Sequence, residues 1–311
     1  MNLADVLADM GLSCECRGDV SFEHMGLAVS DPGGPMLTFA ESSRYVGDLR
    51  AHVSCVICPP ALDEQIERKG FGVCVTEDPR ALFFSVHNHL AGDARYVRPR
   101  FATSIGEGCN ISPHACVAEE NVVIGAGSTV EEFASIKPNT VIGEGCVIRA
   151  GSVVGGEGFE VKRIAGEVVT VRHLGGVHLG ANVEVQQNAC IDKAVYPWDD
   201  TVLGDGCRID NLVHVAHGVK MGCGVEVAAV TCVAGRVVLG DDVWVGPGST
   251  IRNGIEVGAG ARVNMGSVVS QDVPAGSSVT GNFAIEHRRF LRNVKIASSE
   301  SLRRALDELG N

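Results

Sequence analysis

LGDGCRIDNLVHVAHGVKMGCGVEVAAVTCVAGRVVLGDDVWVGPGSTIRNGIEVGAGARVNMGSVV, residues 203–269, places an aliphatic side chain at every sixth position. The series is Leu203, Ile209, Val215, Met221, Val227, Val233, Leu239, Val245, Ile251, Val257, Val263 and Val269. Period six fits neither an α-helix nor a flat strand. It fits a solenoid in which each six-residue unit supplies one short face and one corner, so three units close a coil of 18 residues and coils stack at the inter-strand spacing of about 4.8 Å. The fold predicted is mainly β, a triangular parallel β-helix.

The same rhythm is present upstream. Ile105, Ile111 and Val117 start it; after a slip of one residue it runs through Ile124, Val130, Ile136, Ile142, Ile148 and Val154, and a short series follows at Leu179, Val185 and Ile191. Glycine often follows the aliphatic, as at Gly106, Gly125, Gly143, Gly204 and Gly222, and is expected to ease the corner through backbone angles other residues avoid. The fourth position after the aliphatic is small or β-branched, and Cys109, Cys146 and Cys207 occupy it as compact core residues. The helix is expected over 101–281.

Two stretches break the rhythm. Residues 155–178, GGEGFEVKRIAGEVVTVRHLGGVH, should leave the solenoid as a loop or hairpin, and 194–200, AVYPWDD, puts Pro197 in an aliphatic slot beside Trp198. Irregular segments on a rigid scaffold are where binding concentrates. Residues 1–100 lack the hexad and read as a small α/β domain, with helical signals at 61–69 and strands at 53–58 and 72–75. Residues 282–311 read as two helices, the second capped by Ser298 or Ser299, with Arg288, Arg289, Arg292 and Lys295 forming a basic patch.

Composition narrows the function. The net charge of −12 argues against a nucleic-acid partner. No apolar run reaches the roughly 20 residues of a membrane span, and the N-terminus lacks the basic and apolar segments of a signal peptide, so a cytoplasmic location is expected. Twelve cysteines in such a chain are expected as free thiols. Cys55 and Cys58 form a CxxC inside the apolar run HVSCVICPP, with no second pair to complete a zinc site, and no metal is assigned.

Among ten histidines, His214 and His217 lie within the uninterrupted repeat, in DNLVHVAHGVKMG. His217 falls two places after Val215, at a corner, and Gly235 occupies the same corner one coil later. A histidine can take a proton from an acceptor nucleophile, and a glycine N–H one layer away can face a developing oxyanion. Asp210 and Asn211 stand just before. A zinc hydratase on the same scaffold would need histidines converging from neighbouring coils; one coil either way from His214 the spacing gives Tyr196 and Cys232, and from His217 it gives Asp199 and Gly235.

The chain resembles the UDP-3-O-acylglucosamine N-acyltransferases, hexapeptide-repeat acyltransferases of lipid A synthesis. The resemblance is carried by LTFAESSRYVGDLRAHVSCVIC (37–58), GGEGF (155–159), DDTVLGDGCRIDNLVHVAH (199–217) and the C-terminal helical segment. It implies a left-handed helix, His217 as general base and Gly235 as oxyanion donor; Asp210, from its place just before them in the repeat, is expected as a further catalytic residue. It also implies Phe39 and Tyr45 stacking on uracil; Asn211 and His214, from their place beside His217 in the repeat, are expected to touch substrate. The expected substrate is a UDP-amino sugar, with acyl carrier protein as donor and no permanently bound cofactor. A homotrimer with sites between subunits is expected. The family's Asn-Pro between the two aromatics is Ser42-Ser43 here, and its second histidine aligns with Gly254. The stretch from Asp241 to Gly281-Asn282 resembles sugar acetyltransferases, which makes acetyl-CoA the alternative donor, acting on a nucleotide sugar or surface-polysaccharide precursor. A non-catalytic solenoid binding a sugar nucleotide is the third alternative.

Overall fold

The computed structural model describes residues 1–164, 166–281 and 286–297. From Ser104 to Val279 the chain forms a three-sided parallel β-helix whose faces are sheets of nine, eight and eight short strands. Pairs such as Arg208 with Glu226, Lys220 with Val238 and His214 with Cys232 hold successive coils one repeat apart. The hexad aliphatics fill the interior: all twelve from Leu203 to Val269 are buried. Burying each is worth about 1.5–3 kcal/mol, so the rhythm is the principal source of cohesion. Ile105, in the first coil, is half exposed because no coil lies beneath it.

The glycines divide into two classes, and this corrects the simple corner argument. Left-handed backbone angles fall on the third residue after each aliphatic, such as Gly206 (φ 72°), Leu212 (φ 59°) and Gly218 (φ 69°). Glycine immediately after the aliphatic answers a different need. A Cβ on Gly204 would lie 2.6 Å from the carbonyl carbon of Gly222, so the coils can stack only where that slot has no side chain. The small slot also has a polar duty: the thiols of Cys146 and Cys207 donate to the carbonyls of Gly180 and Gly222, at 3.1 and 3.2 Å.

Residues 1–97 build an α/β unit around five strands: β1 (Glu15–Arg17), β2 (His24–Met25), β3 (Met36–Phe39), β4 (Val53–Cys58) and β5 (Gly72–Val75), in the order β1-β5-β4-β3-β2. Helices α1 (Leu3–Asp9), α2 (Ser43–Gly47), α3 (Asp63–Glu67) and α4 (Pro79–Leu90) flank them. Cys55 and Cys58 are buried within β4, and burial pushes their thiols up to about 12 and about 11. The expected strands at 53–58 and 72–75 are β4 and β5.

The irregular segment at 194–200 docks the α/β unit onto the solenoid. Tyr196 is buried against the core of the α/β unit, the Trp198 ring stacks parallel to it at 6.0 Å, and the Trp198 indole N–H donates to the Met25 carbonyl at 2.8 Å. The extra residues also shift the coil register. His214 pairs with Cys190 below and Cys232 above, so Tyr196 does not precede it. One expected C-terminal helix is present as α5 (His287–Ala297), on which Arg288, Arg289 and Arg292 are exposed. The second, with Ser298 and Ser299, and Asn282 of the Gly281-Asn282 pair lie outside the described residues.

Candidate active site

His217 is buried at the vertex that follows Val215, packed against Gly235 of the next coil. A Cβ on Gly235 would lie 2.6 Å from His217 Cε1 and 2.7 Å from Nε2, so the imidazole occupies the space a side chain would need. The N–H of this slot points out of the coil. At Ala181 and Cys223 it donates to Asp205 and Asp241 of the adjoining coil, each at 2.8 Å. At Gly235 the same N–H has no acceptor among the described residues.

The 155–178 insertion returns to this vertex. It forms an antiparallel hairpin, Val161–Ile164 with Glu167–Thr170, and the residues at its base close over His217. Glu160 Oε2 is 3.2 Å from His217 Nε2, and its other oxygen, Oε1, pairs with Lys162. Burial raises the Glu160 carboxyl, but hydrogen bonds from His217 and Lys162 outweigh it and hold the group at about 2. His173 packs edge-on to His217 with ring centroids 5.4 Å apart. Its Nδ1–H donates to the Val171 carbonyl, which leaves Nε2 as a buried acceptor without a partner among the described residues. Burial, then the charge of His217, hold the His173 imidazole below its ordinary value.

Beside this group lies a second pair. His214 Nε2 donates to Asp192 Oδ2 at 2.8 Å, and that bond raises the His214 imidazole to about 10. Gly158 joins the two: a Cβ there would lie 2.9 Å from His173 Nε2, 3.1 Å from Asp192 Oδ2 and 3.4 Å from His217 Cδ2.

A pocket of about 320 Å³ runs from the α/β unit to this vertex. At one end are Phe39, the last residue of β3, and Tyr45 on α2; at the other are Glu160, Lys162 and Arg236. Phe39 is backed by Phe83 and Phe84, with centroids 4.9 and 6.0 Å away, while Tyr45 is 41% exposed. Arg80 lies over the Phe39 ring and is paired with Glu41. Arg236 has no carboxylate partner among the described residues, and its backbone N–H donates to the His217 carbonyl at 2.9 Å.

The structure thus places Phe39 and Tyr45 at one end of a cavity whose other end is formed by Glu160, Lys162 and Arg236; Glu160 and Arg236 adjoin His217 and Gly235, which lie behind them, with His214 alongside. It does not bring Asp210 and Asn211 there within one chain. They follow Ile209 at a different vertex, where Asp210 accepts N–H bonds from Asn211 and Ala229 at 2.7 and 3.0 Å and ties two coils together. The hexad explains the difference, because each six residues turn the chain by one face. Glu160, Lys162, His173 and Asp192 were not among the expected residues. The broken rhythm at 155–178 marked the segment carrying three of them, but a period cannot say which side chains fold back.

The bacterial transferase hexapeptide family (six repeats) matches residues 121–156 and 236–271. The UDP-3-O-acylglucosamine N-acyltransferase of Paracidovorax citrulli is 32% identical over 63% of this chain and 60% of its own length. That of Leptothrix cholodnii is 28% identical over 58% of this chain, again covering 60% of the relative. Each match therefore spans about three fifths of the relative. Among solved structures, the UDP-N-acetylglucosamine acyltransferase of Arabidopsis superposes with a TM-score of 0.52 at 28% identity, over 58% of this chain and 62% of that one. The Campylobacter jejuni enzyme of the same name gives 0.52 at 25% identity, over 58% and 68%. The chain is thus similar in sequence to the UDP-3-O-acylglucosamine N-acyltransferases, and in fold to acyltransferases that carry UDP-N-acetylglucosamine in their names.

Proposed function

We propose that the chain is an acyltransferase that moves an acyl group from a thioester to the amine of a UDP-amino sugar. The observation that carries this reading is the cavity that has Phe39 and Tyr45 at one end and, at the other, Glu160 and Arg236, the residues that adjoin His217 and Gly235. Phe39 and Tyr45 flank the uracil, and Arg236, with no carboxylate partner, suits the diphosphate. His217 takes a proton from the attacking nitrogen as the nitrogen–carbon bond forms. The Gly235 N–H stabilises the tetrahedral oxyanion, and His217 returns the proton to the departing thiolate as the carbon–sulfur bond breaks. A general base contributes about 10²–10⁴-fold and an oxyanion donor about 10²–10³-fold, enough together for an efficient transfer.

The donor is an acyl carrier protein, for which the exposed arginines of α5 offer a basic docking face, or acetyl-CoA. The acetyl-CoA reading is favoured by Gly254 standing where the resembled family carries its second histidine. Among the described residues no helix is long and apolar enough to cross a membrane, which suits a reaction between soluble substrates. A homotrimer is part of the proposal. Phe133, Leu212 and Val230 hold left-handed angles near 60° while largely exposed, a costly conformation for bulky residues that a neighbouring copy covering them would offset.

The test is incubation of the protein with acetyl-CoA or hydroxyacyl carrier protein and a panel of UDP-amino sugars, followed by mass spectrometry of the sugar. Transfer from one donor, reduced about 10³-fold in His217→Ala, is expected. Turnover unchanged by that substitution removes the proposed base; no transfer from either donor leaves the non-catalytic reading. Light scattering at micromolar concentration checks the trimer, and a monodisperse monomer refutes it.

A further inference from the structure

Glu160 has a puzzling position for a bystander. It is a carboxylate with a side chain only 13% exposed, set at the floor of the pocket with Oε2 3.2 Å from the Nε2 of His217. Lys162 accounts for Oε1 but not for Oε2. When His217 is protonated, its N–H satisfies Oε2. A neutral His217 with its proton on Nε2 still donates to Oε2; in the other tautomer, the one in which Nε2 is the base, two hydrogen-bond acceptors face each other across that gap. A buried acceptor without a donor costs about 1–3 kcal/mol, more for a charged group, so the base-competent state requires something to donate to both.

We infer that Glu160 is a specificity residue, forming with His217 a two-acceptor clamp that selects a primary amine over a hydroxyl as the acceptor nucleophile. The inference rests on the proposed acyl transfer for its chemistry but on the geometry of this pair for its selectivity. A neutral amine carries two protons and one lone pair. A nitrogen about 2.8 Å from both Glu160 Oε2 and His217 Nε2 can donate to each and still aim its lone pair at a thioester carbonyl. If the sugar arrives as an ammonium, it first loses one proton to solvent. As the nitrogen–carbon bond forms, the proton facing His217 passes to Nε2 and leaves with the thiol. The proton facing Glu160 stays on nitrogen and becomes the amide N–H. A hydroxyl has one proton: given to His217 it leaves Oε2 orphaned, and given to Glu160 it is withheld from the base. Lys162 keeps the carboxylate ionised and turned toward His217, so the clamp does not depend on substrate to form.

The experiment compares binding of UDP-glucosamine and UDP-glucose by calorimetry to wild type, Glu160→Gln, Glu160→Asp and His217→Ala, with acyl transfer measured separately. Wild type is expected to prefer the amino sugar at least about tenfold. Glu160→Gln, whose amide can present an N–H in place of an acceptor, should abolish the preference, and Glu160→Asp should retain part of it. Superimposable circular dichroism and melting curves across the set exclude loss of fold, and Glu160→Asp carries the test if Glu160→Gln is unfolded. Equal affinity of wild type for both sugars, a preference that survives in Glu160→Gln, or failure to bind either sugar overturns the clamp. A clear preference with no acyl transfer from any donor leaves the clamp standing and refutes the acyltransferase reading instead.

Discussion

Replacing Gly235 by alanine isolates the contact on which the proposed chemistry depends. The backbone at Gly235 is outside the left-handed region, so alanine introduces no backbone strain. Its N–H, the proposed oxyanion donor, is retained. What changes is space: the new methyl would lie 2.6 Å from His217 Cε1, 2.7 Å from Nε2 and 3.0 Å from Asn253 Nδ2. Carbon–nitrogen contacts relax at about 3.5 Å, so the imidazole must retreat by about 1 Å. That movement carries Nε2 away from the position shared with Glu160. A misplacement of about 1 Å in a catalytic group costs on the order of 10²-fold, equivalent to about 2.7 kcal/mol of transition-state stabilisation. The loss should fall on kcat rather than KM, because the Phe39 and Tyr45 end of the pocket is untouched. The assay is steady-state transfer with the active donor, beside a melting curve to separate site displacement from loss of fold. A variant within about threefold of wild type in kcat would refute the argument, since it would mean that the histidine need not sit where Gly235 lets it sit.

Other consequences concern the scaffold. Gly204→Ala presses a methyl to 2.6 Å from the Gly222 carbonyl in the next coil, where rigid backbone has to give. A cost of about 2–3 kcal/mol follows, read as a Tm lowered by roughly 3–5 °C; an unchanged Tm would show that coil spacing is softer than the glycine column implies. Acid should loosen the seam between the α/β unit and the insertion at His87, whose Nε2–H donates to the Arg172 carbonyl and whose Nδ1 accepts from the Tyr96 hydroxyl. Burial lowers this imidazole to about 4, so folding favours the neutral form. Its contribution is complete above about pH 6.5 and is lost as the pH falls through 4, amounting to about 3 kcal/mol. Denaturant titrations at pH 7 and pH 4 should therefore show less acid destabilisation in His87→Gln than in wild type, and equal losses would refute the assignment.

Sequence alone determined the solenoid. An aliphatic every six residues has one geometrical solution that buries it, and the strands ending at Leu203, Ile209 and Val215 appear where the rhythm puts them. The same arithmetic brought His217 and Gly235 into adjacent layers, because a strict repeat makes spacing in sequence equal to spacing in space. Where the repeat fails, that equality fails with it. The added residues at 194–200 moved Cys190, not Tyr196, beneath His214, and made Trp198 an anchor for the α/β unit. Asp210, close to His217 in the chain, stands at another vertex because seven residues carry the backbone past a corner. Only the tertiary structure could return Glu160 and His173 from the hairpin to His217, and join Phe39 and Tyr45 to that vertex through one pocket. These contacts are set by how separate segments pack against one another, and no local period encodes that.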